Sequence, residues 1–157
     1  MFKKGDNVIY PKHGAGKIIS ITNEKIGGKS EKYYRIKFLE SLIYISIPID
    51  KAKELGLRYP LSKTGLKKSL KNLNKIVKID KKILVTLDNV SREKLGSGKT
   101  NDVIELVNIL KSLAKQKEEK NKNFSYSYSD RLEIATDFIK SEIVLVLGKK
   151  ALKEYTF

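Results

Sequence analysis

At 157 residues with 40% hydrophobic content, the chain is long enough for one ordinary domain or two small ones and apolar enough to fill a core, which excludes wholesale disorder. It has no cysteine and a single histidine, which removes disulfides, thiolate sites, thiol nucleophiles and any histidine-based metal cluster. The 33 Lys plus Arg against 18 Asp plus Glu give a net charge of +15, the balance of a protein with a polyanionic partner, nucleic acid first among them.

The first 50 residues read as strands: 6–10, 16–23, 32–39 and 42–47 are rich in Ile, Val, Tyr and Phe. Pro11 cannot donate to a sheet ladder and Gly14 and Gly16 permit backbone angles closed to other residues, so the chain must turn after Tyr10. Gly27-Gly28 marks a second turn. In the third strand Tyr34, Ile36 and Phe38 share one face, with Tyr33, Arg35 and Lys37 on the other. In the fourth, Ile43, Ile45 and Ile47 alternate with Tyr44 and Ser46, and Pro48 ends the pattern. Short strands joined by tight turns predict a small curled antiparallel barrel or sheet.

After Pro60 the period becomes helical. Leu66, Leu70, Leu73 and Val77 form one apolar stripe, and lysines cover the other faces. Residues 83–95 fit a helix through Ile83, Leu87, Val90 and Lys94, although 83–87 fits a strand equally well. Thr100 or Asn101 can cap a third helix carrying Val103, Leu106, Val107, Leu110 and Leu113, which fades into the polar run 115–123. A fourth helix starts near 125–130, carries Leu132, Ala135, Phe138, Ile139, Ile143, Val146 and Leu147, and closes at Gly148. The tail 149–157 adds a turn. The expected fold is α+β in two modules: a β module, 1–55, and an all-α module of four to five helices, 62–157, joined around 49–61.

The longest apolar run, 143–147, falls far short of the roughly 20 residues of a membrane span. The first residues enter a strand without the apolar stretch of a signal peptide. A cytoplasmic, monomeric protein without membrane contact or cofactor is expected. The positive charge is local: residues 63–82 hold eight lysines and one acid, Asp80, which points to an electrostatic footprint in the helical half.

Gly96-Ser97-Gly98-Lys99-Thr100 imitates a phosphate-binding loop, but the pattern needs a glycine where Glu93 stands and a buried strand before it. An inter-helix turn is expected instead. His13 is expected to pack on its own turn, and Glu118, Glu119, Asp130 and Glu133 to be solvated. The alternation 125–129 fits a base-stacking strip or a capped helix start with two exposed tyrosines. No catalytic constellation is visible.

The stretch Gly5-Asp6-x-Val8-x-Tyr10-Pro11-x-His13-Gly14-x-Gly16 resembles the opening of the CarD/CdnL family of bacterial transcription regulators. The RNA-polymerase-binding module of the transcription-repair coupling factor begins similarly. The resemblance continues through Ile26, Gly28, 33–38, Ile47-Pro48 and Ala52, then Leu95-x-Ser97-Gly98, Val103-x-Glu105-x-Val107, Phe124-Ser125, Leu132, Ala135, Glu142-Ile143 and Leu145. It implies a Tudor-like first module that binds the polymerase β subunit. It also implies a helical module that contacts promoter DNA at the upstream edge of the melted region and stabilises the open complex. The family's tryptophan wedge is missing: Leu84 aligns there, with Thr86 and Leu87 where arginines are expected. Leu84 reads either as an intercalating wedge or as a core position on an amphipathic helix. Glu24 and Ser46 align where relatives carry arginines at the polymerase surface.

The polymerase-facing candidates are Tyr44 and Ser46, which point opposite to the isoleucine row, with Glu24 and Lys25 on the adjacent hairpin. The DNA candidates are Lys81 and Lys82 beside Leu84, then Lys94 and Lys99 at the glycine turn. The rival to a DNA-touching transcription regulator is an interaction protein whose helical module binds protein or RNA.

Overall fold

A computed structural model describes residues 1–39 and 41–157. Strands β1 (Asn7–Tyr10), β2 (Gly14–Ile26), β3 (Lys29–Phe38) and β4 (Tyr44–Pro48) form one antiparallel sheet in the order β1-β2-β3-β4, curled into a half-barrel. A 3-10 turn (Ile49–Lys51) leads to helices α1 (Lys63–Leu70), α2 (Lys81–Ser97), α3 (Thr100–Glu119) and α4 (Tyr126–Leu147). A closing 3-10 stretch, Lys149–Glu154, ends the fold. The expected α+β layout, a β half followed by a helical half, is what the chain adopts.

The sheet is larger than the strand-forming residues alone imply. Gly27 and Gly28 both have positive φ, 59° and 81°, the geometry of a two-residue hairpin whose twist matches its strands. Ile26 and Lys29 therefore pair directly, and β2 and β3 run to the turn. A register shift between Ile18 and Ser20 inserts one residue and bends β2.

Strand alternation serves two cores here. Val8 faces the β core with Phe2, Ile18, Tyr34, Ile36, Phe38, Ile47, Ala52 and Leu57, whereas its neighbour Ile9 is buried in the helical core. Ala15 on β2 also faces the helices, where α4 packs on the strand. The outer edge of β1 is closed by 49–61, since Ile9 and Arg58 exchange both backbone hydrogen bonds at 2.8 and 3.1 Å. What reads as a linker is thus partly an edge partner of the sheet.

In the helical half, α3 is the hub: Val103, Ile104, Leu106, Val107, Leu110 and Leu113 are all buried, and α1, α2 and α4 pack around it. Ser62, Asp80 and Ser125 cap α1, α2 and α4 by accepting from Gly65 N, Ile83 N and Tyr128 N. Residues 83–87 are helical, so the strand alternative is excluded. Two expectations fail. The stripe Leu66, Leu70, Leu73, Val77 is not one helix, because α1 ends at Leu70 and Asn74 takes φ 65°. The β-branched run that follows is held extended along α3: Val77 N donates to Ser112 Oγ at 2.9 Å, and Asn108 Nδ2 donates to Asn72 O at 2.7 Å. Nor does Thr100 or Asn101 cap α3. The N-cap position is Lys99, without a side-chain cap, and Thr100 Oγ1 donates instead to Glu142.

Candidate interaction surfaces

The Tyr-Pro-x-His-Gly-x-Gly stretch is first of all a junction. Gly14 has φ +74°, and a Cβ there would lie 2.2 Å from Ser141 Oγ on α4. That hydroxyl accepts from Ala15 N at 2.9 Å. Pro11 fills the space left by Gly56 and Gly98, where an added Cβ would meet its ring at 2.7 and 2.8 Å. Small residues are needed because the β1–β2 turn meets both the helices and the connecting segment. His13 stacks on Tyr10 (centroids 5.8 Å, 12° between planes) and lies 5.2 Å from Phe38. Partial desolvation beside these rings, then the charge of Lys12, holds its pKa below the usual 6.5.

Beneath this turn lies an ion pair. The fully buried Glu142 accepts from Arg58 Nη1 (3.0 Å) and Nη2 (3.1 Å), Thr100 Oγ1 (2.7 Å) and Leu61 N (3.0 Å). Arg58 also donates Nε to Gly98 O at 2.8 Å. The guanidinium fork suits this bidentate role. Three segments distant in sequence, 58–61, 98–100 and the stretch around Glu142, are thereby tied at the boundary between the halves. Glu142 was legible only as a matching residue; nothing in the sequence pairs it with Arg58.

On the β half, Tyr44 and Ser46 are exposed on β4, an edge strand whose outer side has no partner among the described residues. Ile47 is buried and Ile45 half-buried, as the alternation requires, but Ile43 precedes the strand and is exposed, like Leu42 at 90%. Lys37 lies opposite Tyr44 and Arg35 opposite Ser46. Arg35 sits over the Tyr44 ring at 5.1 Å and Lys37 at 6.0 Å. These two cations join the candidate face through register, a signal unavailable before strands are paired. Glu24 and Lys25 are exposed on the hairpin, opposite Glu31 and Ser30. That is four residues of β3 beyond the Arg35–Ser46 pair, roughly 13 Å along the strand, so the four candidates do not form one patch.

On the helical half, Lys81 and Lys82 are exposed in the first turn of α2. Leu84 is 40% exposed and outside the core cluster, and Val85 beside it is 83% exposed. The core-position reading of Leu84 is therefore incorrect: the buried row of α2 is Leu87, Ser91 and Leu95. Lys94 and Lys99 lie near the other end, the former about 20 Å from Lys81 along the axis. Lys94 is paired with Glu105, and Lys99 is exposed.

The glycine turn is what its residues suggest. Gly96 and Ser97 finish α2, Gly98 closes it with φ 64°, and Lys99 opens α3. Ser125 caps α4, leaving Tyr126 exposed and Tyr128 beside Phe124 and Arg131. Among the described residues no group of three metal-ligating side chains is assembled, and no helix is long and apolar enough to cross a membrane.

The chain is similar to a known family, a curated relative and a solved structure. Residues 2–59 match the family model described as CarD-like/TRCF RID domain. Over 159 aligned residues, 99% of each chain, the sequence is 28% identical to the Bacillus subtilis (strain 168) protein described as "Putative transcription factor YdeB". Among solved structures it is similar to CdnLNt from Myxococcus xanthus, at 35% identity and a TM-score of 0.35, over 40% of this chain and 89% of that one.

Proposed function

For a CarD/CdnL-like chain whose residues 2–59 are a CarD-like/TRCF RID domain, we propose a transcription regulator that docks on the RNA polymerase β subunit along β4. The helical half then touches promoter DNA near the upstream edge of the bubble through the first turn of α2, and alters the stability of the open complex. The observation that carries the polymerase half is the RID match together with an edge strand, unpaired on its outer side among the described residues, that bears Tyr44 and Ser46. An unpaired edge offers backbone groups to a partner strand, and its outward side chains set specificity. Arg35, opposite Ser46, brings a positive charge to the position where the resemblance leads one to expect arginine.

The DNA half rests on Lys81 and Lys82 at the start of a capped helix, where the dipole adds to their attraction for phosphate. Leu84 and Val85 project beside them and can press on a base step in place of an aromatic wedge. Lys99 can add a phosphate contact; Lys94 can do so only by leaving Glu105. Contacts of this kind supply affinity with little sequence reading.

The test uses the full-length chain, since cutting between the halves would expose Ile9 and Ala15 and break the Arg58–Glu142 pair. Wild type is expected to capture purified bacterial RNA polymerase. Tyr44→Ala is expected to weaken capture while leaving duplex DNA affinity unchanged, and Leu84→Ala/Val85→Ala to do the reverse and shorten the lifetime of the open complex. A wild-type chain that retains no polymerase overturns the proposal. Duplex affinity that is insensitive to salt would instead favour an adaptor whose helical half binds protein or RNA.

A further inference from the structure

An open cleft of about 480 Å³ lies between segment 74–79 and the adjoining face of α3, within the roughly 300–1,000 Å³ typical of small-ligand sites. Its lining includes none of the candidate residues of β4 or α2, although Ile79 stands two residues before Lys81. Ile76, Val77 and Ile79 give it an apolar side, and Ile76 is 86% exposed. Lys75, Lys78, Lys111 and Lys115 border it against a single acid, Glu119. Lys111 donates to Asn74 Oδ1 at 2.6 Å, whereas Lys75, Lys78 and Lys115 form no ion pair among the described residues.

The wall of the cleft contains an unsatisfied group. Asn108 is only 5% exposed, its Nδ2 is used on Asn72 O, and its Oδ1 is buried with no donor. Reversing the amide would set that oxygen against the Asn72 carbonyl, so the hydrogen-bond pattern fixes its orientation. Buried acceptors are ordinarily paired, and one left unpaired beside a cleft calls for an occupant that donates. Lys75 borders both this cleft and the neighbouring one that Asn108 also lines; the oxygen itself is closed off from the open space of the cleft, so side chains of the wall must shift to bare it. Gln116, which donates Nε2 to Ile79 O at 3.5 Å, adds an amide oxygen that accepts no hydrogen bond among the described residues.

We propose that this cleft binds a purine nucleotide. The base lies against Ile76, Val77 and Ile79 and donates a ring or exocyclic N–H to Asn108 Oδ1. The phosphates take Lys75, Lys78 and Lys115, compact cations suited to them. An inorganic anion would use the lysines and ignore the amide oxygens. A plain apolar ligand would leave both the charge and Asn108 unanswered.

The experiment is calorimetric titration of the full chain with GTP, ATP and inorganic tripolyphosphate at fixed salt. At least one nucleotide is expected to bind about tenfold or more tighter than tripolyphosphate. Lys75→Gln/Lys115→Gln is expected to weaken that binding at least about tenfold. Lys67→Gln/Lys68→Gln, which removes the same charge from exposed positions of α1 outside the cleft, is expected to leave it unchanged. Three results each overturn the proposal: no nucleotide binding up to about 1 mM, tripolyphosphate binding as tightly as nucleotide, or equal weakening by both lysine pairs. Asn108→Leu gives an independent readout. It should abolish the preference for nucleotide over tripolyphosphate, and retention of that preference in a folded variant counts against the role of Oδ1.

Discussion

Glu142→Gln is the sharpest probe of how the two halves are held together. The wild-type carboxylate is fully buried and accepts four hydrogen bonds, from Arg58 Nη1 and Nη2, Thr100 Oγ1 and Leu61 N. Glutamine has nearly the same shape, but its one carbonyl oxygen can serve only about half of these donors. Its NH₂ meets donors where acceptors are required. Each donor left without a partner in the interior costs about 1–3 kcal/mol. The Arg58 side chain, 23% exposed, recovers part of this from water. A loss of about 3–5 kcal/mol is expected, within the range for breaking a buried pair. For a chain of this size that corresponds to a fall in Tm of roughly 10–15 °C. Thermal unfolding followed by circular dichroism measures it, with urea unfolding as the second determination. A Glu142→Gln protein that melts within roughly 3 °C of wild type would refute the assignment of this pair as the principal polar tie. Removing both partners, as Arg58→Met/Glu142→Leu, should recover much of the loss, because no charge is then stranded.

Gly14→Ala should cost about 2–4 kcal/mol, from its φ of +74° and the overlap with Ser141 Oγ, and adding Ser141→Ala should recover only part; thermal shift measures both. Lys81→Ala/Lys82→Ala should reduce the slope of log affinity for duplex DNA against log salt by about 2 while leaving Tm within roughly 2 °C. His13, the only histidine, should titrate below 6.5 by NMR because partial desolvation and Lys12 disfavour its cation. Since the folded pKa is the lower, the unfolded chain binds more protons between the two values. The contribution of His13 to stability is therefore complete above the unfolded pKa and is lost as pH falls from about 6.5 through the folded value. A measured pKa at or above 6.5 would remove it.

Much of this protein is local and therefore legible from the chain alone. Gly27-Gly28 dictates a hairpin because only glycine takes two positive φ angles without strain. The isoleucine alternation orients β4 because side chains alternate across a strand, so Tyr44 and Ser46 had to face outward once Ile47 was buried. Ser125 and Gly148 mark helix ends because they satisfy or terminate backbone hydrogen bonds where they stand. Local patterning also misled, at the Leu66–Val77 stripe, at the cap of α3 and at Leu84. The spacing of Leu73 and Val77 suits a helix, yet α3 supplies Ser112 and Asn108 as better partners for an extended backbone.

Only the tertiary structure decided what lies between distant segments. It gave the Gly14-Ala15-Gly16 stretch its reason, close packing on Ser141 and beneath Ile36 and Phe38, which no turn propensity contains. It brought Arg58, Gly98, Thr100 and Glu142 together across more than half the chain. It took Leu84 out of the core, set Lys94 against Glu105, and placed Arg35 over Tyr44. Backbone geometry and periodicity are properties of neighbours in sequence and can be read there. Which strand pairs with which, and which charge meets its counterion, depends on packing between elements far apart in the chain.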